Sequence, residues 1–98
     1  MRAKITKAID MDAATLERMI VIREDASGMF FATCEDEPTF FVAQTSRERL
    51  EKVYPIALER VVLEHCERDM VAARRDVVDD THVKVCLYSR EALEHVIA

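Results

Sequence analysis

Three carboxylates stand in a row at Glu35-Asp36-Glu37, and two more at Asp79-Asp80. Clustered carboxylates are what hard divalent cations take as ligands, and two-metal nucleases work through them. Such centres need acids converging from different elements. Three in a row on a turn diverge, and the pattern puts no inward acid on the first or fourth strand to join them. The knot therefore reads as a solvated turn that can also contact a partner. His65, His82 and His95 are scattered. His65 and Cys66 adjoin on a helix, point about 100° apart and cannot easily share a metal. Each histidine reads as a surface or boundary residue. Ser27, Ser46 and Ser89 have turn and cap contexts, not those of nucleophiles. Gly28 is the only glycine, so no glycine-rich phosphate loop can be built. Cys34, Cys66 and Cys86 are odd in number, far apart and in no paired motif. They read as small buried hydrophobes kept reduced. The residues thus assign no catalytic group, no metal and no cofactor.

The elements that position these residues are clearer. Two apolar runs, Met19–Ile22 and Met29–Cys34, flank a polar break that ends at Gly28. A single glycine there marks a positive φ, and the surroundings are those of a β-hairpin. The first strand spans about Glu17–Arg23. Its unbroken apolar run suits a central strand covered on both faces. Met29–Glu35 and Thr39–Ala43 are strands two and three. Phe30 and Phe31 in one, and Phe40 and Phe41 in the other, point to opposite faces. A helix on one face covers half of them. The rest need another element, a second subunit or a partner.

Thr45-Ser46-Arg47-Glu48 fits a capping box, with Thr45 as cap and Glu48 reaching back. Leu50, Val53, Tyr54, Ala57, Leu58, Val61 and Val62 then follow at helical spacing. The opposite side, from Arg49 through Glu59 to Glu67, reads as solvated. Pro55 lies inside and predicts a kink near 51–55. The helix extends to about Met70 and frays toward Arg75. Residues 76–81 read as a loop and His82–Tyr88 alternates as a fourth strand. Ser89 caps a short C-terminal helix. The fold class is α+β: β-β-β-α-β, a three-stranded antiparallel meander plus a fourth strand, with one long helix on one face. Residues 1–16 form a partly ordered basic arm in which Asp12 can cap a helical turn, and 17–98 a single domain.

The 98 residues carry 14 basic and 19 acidic side chains, a net charge of −5. That balance disfavours non-specific nucleic-acid binding and attracts a basic protein. No apolar run approaches the roughly 18 residues of a membrane span. The chain reads as cytoplasmic.

Met19–Asp25, the turn at Gly28, Phe31-Ala32, Asp36-Glu37-Pro38, Ala43-Gln44-Thr45 and Glu48 together resemble the HicB-like antitoxin family. The match covers about residues 17–65. Thr39 stands where that family commonly has glycine, and the last 20 residues read as a fourth strand and a short helix where that family commonly carries a DNA-binding module. The resemblance implies a truncated ribonuclease H-like sheet without its active site. It also implies an inhibitor that blocks a small basic RNA-cleaving toxin. The expected function is a non-enzymatic interaction domain, a homodimer, with Phe30, Phe31, Phe40, Phe41, Glu35, Asp36 and Glu37 at the partner or dimer interface. Gly28, Pro38, Thr45, Glu48 and Pro55 are structural. The alternatives are an acidic inhibitor or adaptor from a mobile element that binds another host complex, and a metal-dependent nuclease remnant acting through Asp36.

Overall fold

The computed structural model describes residues 15–91. Strands β1 (Thr15–Glu24), β2 (Phe30–Cys34) and β3 (Phe41–Gln44) precede helix α1 (Arg47–Cys66). Strands β4 (Met70–Val77) and β5 (His82–Ser89) follow it. The five strands form one antiparallel sheet in the order β3-β2-β1-β5-β4. The α+β class and the β1–β3 meander hold, and the sheet has one strand more than the sequence pattern predicts. Thr15 and Leu16, read as the end of the arm, pair with Tyr88 and Leu87 in β1. The Asp12 cap and most of the expected C-terminal helix lie outside the described residues.

β1 is the middle strand, as its apolar run requires. Register puts Leu16, Ile20 and Ile22 on the same face as Ala32, Cys34, Val42, Val83, Val85 and Leu87. Helix α1 lays Leu50, Tyr54, Leu58 and Val62 on that face, all at most 1% exposed. Each such side chain contributes on the order of 1.5–3 kcal/mol of burial. Val53 is not part of this stripe but is 38% exposed. Burial raises the Tyr54 hydroxyl and the Cys34 thiol above their ordinary pKa. Cys34 is the buried thiol; Cys66 is exposed and Cys86 half-buried.

The β1–β2 turn confirms the role of Gly28. Its φ is 90°, and a Cβ there would meet nothing within 4 Å, so the demand is conformational and not steric. Asp25 Oδ1 accepts from the Ser27 hydroxyl at 2.7 Å, the Ser27 amide at 2.9 Å and the Met29 amide at 3.0 Å. These bonds, the Ser27 hydroxyl first, hold its carboxyl below the usual range.

The helix start differs by one residue from the expected capping box. Ser46, not Thr45, is the cap, and its hydroxyl accepts from the Arg49 amide at 3.2 Å. Arg49, not an acid, therefore occupies the third helical position, and the reciprocal bond of the box cannot form. Glu48 instead sits in the first turn, where the helix dipole favours an anion. Pro55 lies within the continuous helix and deprives the Glu51 carbonyl of its donor. The Arg75 guanidinium of β4 supplies one, 3.0 Å away, and lies 5.9 Å from the centre of the Tyr54 ring.

The helix ends at Cys66, not Met70, with Glu67 in the left-handed region at φ 53°. Residues 70–77, read as a fraying helix and then a loop, form β4. Its Ala-Ala-Arg-Arg composition favours a helix, but the edge of β5 offers it a ladder to join. A bulge between Ala72 and Arg74 shifts the register and hides the alternation. Beside the bulge, the half-buried Glu59 accepts from the Ala72 amide at 2.8 Å through Oε2, so it ties α1 to β4 as well as facing water.

The β4–β5 turn is built on Asp79. Its Oδ1 accepts from the amides of Thr81 and His82, each at 2.8 Å, and from the Thr81 hydroxyl at 3.1 Å. These bonds, the Thr81 amide first, lower its pKa from 3.8 to about 2. A depressed carboxylate stabilises the fold above its unfolded pKa, and that contribution is lost as pH falls through the folded value. Asp79→Ala is expected to lower the urea midpoint at neutral pH and to flatten the acid limb between pH 3.8 and about 2. An unchanged acid limb in the variant would refute this role.

Candidate functional site

The acidic knot splits in the folded chain. Glu35 and Asp36 are exposed, whereas Glu37 is 2% exposed. The expectation of three solvated carboxylates at an interface is corrected here for Glu37. The β2–β3 turn turns it inward: the Glu37 amide donates to the Cys34 carbonyl and the Phe40 amide to the Glu37 carbonyl. Pro38 fills the second position of that turn, which its restricted φ suits. Thr39 follows without a positive φ, so the turn does not need glycine there.

A buried carboxylate needs partners. Arg18 Nε donates to Glu37 Oε2 at 2.8 Å. His65 Nδ1 lies 3.1 Å from Oε1, and the Thr39 hydroxyl lies 3.0 Å from His65 Nε2. In the neutral imidazole a carboxylate partner, which only accepts, places the proton at Nδ1 and leaves Nε2 as the acceptor facing the Thr39 hydroxyl. Hydroxyl, imidazole and carboxylate thus stand in the order used for acyl transfer. Two features argue against that chemistry. Arg18 draws on the same carboxylate that would support the imidazolium. The nearby Glu37 and Phe40 amides are already bonded and offer no oxyanion site. The cluster is a clamp joining β1, the β2–β3 turn and the end of α1. His65, read as a surface or boundary residue, is exposed on one side and is the helix's share of it. Among the described residues no three His, Cys, Asp or Glu side chains group as metal ligands.

The phenylalanines separate by strand parity. Phe40 is 2% exposed in the core, and Phe30 is half-buried and packs against it from the helix side. Phe31 and Phe41 project from the opposite face, with ring centroids 5.6 Å apart. Register places Met19 and Val21 of β1 and Lys84, Cys86 and Tyr88 of β5 on that face too. Met19 is 39% and Phe41 60% exposed. Helix α1 occupies the other side, so no described element covers this face, and β1 is covered on one face and not on both. An apolar centre edged by Arg23, Lys84 and Glu17 is the composition of a protein-binding surface.

The inward Arg18 was passed over in the sequence, although its position offered a signal. It shares parity with Leu16, Ile20 and Ile22, which places it on the inner face where a charge needs a partner. Nothing local marked Glu37 as that partner. No described helix is long and apolar enough to cross a membrane. Compared with known proteins, the chain matches no family model, no curated protein and no solved structure.

Proposed function

We propose that this chain is a non-enzymatic binding domain that docks a small basic protein on the open face of its sheet. The Phe31–Phe41 pair, half-buried at Phe31 and 60% exposed at Phe41, carries the reading. Covering Phe41 removes on the order of 100 Å² of apolar surface from water, about 2–3 kcal/mol. The net charge of −5 adds attraction and a faster encounter with a basic partner. The resemblance of residues 17–65 to HicB-like antitoxins supports a partner of the RNA-cleaving toxin type, which the domain would hold inactive in the cytoplasm.

The test is co-expression with a small basic protein encoded beside this chain. The expected result is a soluble complex, relief of toxicity, and loss of both in the Phe31→Ser, Phe41→Ser double variant. A neighbourhood without such a protein, or a complex indifferent to both substitutions, would overturn the proposal.

A further inference from the structure

Helix α1 carries a second apolar stripe that the sheet does not use. Val53, Ile56 and Leu63 are 38%, 61% and 48% exposed. With the exposed Arg49 and Arg60 they run 49-53-56-60-63, alternating steps of four and three, and the exposed C-cap Glu67 stands four residues further on, just past the helix end. That is the spacing of a two-helix seam, here with Val53, Ile56 and Leu63 as its apolar positions and charges at its ends and middle. The buried stripe Leu50, Tyr54, Leu58 and Val62 lies on the far side of the same helix. From Arg49 to Leu63 the outer ridge spans roughly 21 Å at the helical rise.

We infer that the occupant of this ridge is α1 of a second copy of the chain, packed antiparallel about a twofold axis near residue 58. The charges select this partner and this direction. Reversing the helix sets Arg49 of one copy against Glu67 of the other, and the twofold axis makes that contact twice. It sets Val53 against Leu63, also twice, and the stem of Arg60 along Ile56. A parallel pair would instead stack Arg60 on Arg60 and Glu67 on Glu67, which like charges oppose. None of Arg49, Arg60 and Glu67 forms an ion pair within the described residues. The ridge lies across the sheet from Phe31 and Phe41, so the dimer leaves the proposed docking face free.

Sedimentation equilibrium of the full chain tests the pairing. The 11.3 kDa chain is expected to approach twice that mass as concentration rises. Ile56→Glu with Leu63→Glu should hold it at the monomer mass. Arg49→Glu alone and Glu67→Arg alone should each weaken self-association about tenfold or more. Mixed together, those two charge variants should form a heterodimer tighter than either homodimer, because both cross-contacts are then opposite in sign. The mixture needs no loss-of-fold control, since it reads a gain. A monomer at every concentration overturns the pairing. So does a dimer that tolerates the Ile56 and Leu63 substitutions, or a mixture no tighter than its components. Phe31→Ser with Phe41→Ser should leave the dimer intact, which separates this result from the binding proposal.

Discussion

Replacing Glu37 by alanine is expected to cost about 3–5 kcal/mol of folding stability, the range for breaking a buried ion pair from one side. The loss does not come from the carboxylate's own contacts alone. Arg18 is left with 15% of its side chain exposed and no counter-charge, while the β2–β3 turn loses its tie to α1. A domain of this size has roughly 5–15 kcal/mol in total, so the variant should melt far below the parent. Glu37→Gln keeps the shape and one or two neutral bonds, and should cost less. Replacing both Arg18 and Glu37 with methionine removes charge and counter-charge together. That double variant should recover most of the loss, because well-packed apolar side chains often substitute for a buried pair at little cost. Urea unfolding of the four proteins forms the cycle. If Glu37→Ala loses under 1 kcal/mol, the clamp is not a stabilising element.

Two adjacent phenylalanines should respond in opposite ways. Phe40→Ala empties a site that is 2% exposed and is expected to cost about 3–5 kcal/mol. Phe41→Ala truncates a ring that is 60% exposed and should change stability by less than about 1 kcal/mol. For partner binding the order reverses at temperatures where both variants are folded. Phe41→Ala loses the contact, with a cost of about 2 kcal/mol or roughly thirtyfold in Kd, as for an aromatic anchor. Phe40→Ala binds as the parent does. Unfolding and calorimetric titration on the same preparations check both. If the two variants bind equally well, the open face is not the docking surface.

The sequence by itself determined the local structure of this protein. Gly28 announced a positive φ because only glycine adopts it cheaply, and the structure has it there. The Met19–Ile22 run placed β1 at the centre of the sheet, and the paired phenylalanines had to divide between two faces because strand side chains alternate. Those features depend on chemistry and period within a few residues. The cap was misplaced by one residue because Thr45 and Ser46 are both good caps, and only the backbone path out of β3 selects between them.

The tertiary structure decided what depended on distant partners. Residues 70–77 are helix formers by composition and became β4 because the edge of β5 lay open to them. Glu37 looked like its neighbours Glu35 and Asp36 until the turn brought it to Arg18 and His65, 19 and 28 residues away along the chain. Val53 read as core by spacing, yet α1 is rotated so that it faces outward. Helix rotation, strand pairing and buried charge pairs are set by which surfaces meet. Local propensities differ by less than a kcal/mol, whereas burial and ion pairing contribute several.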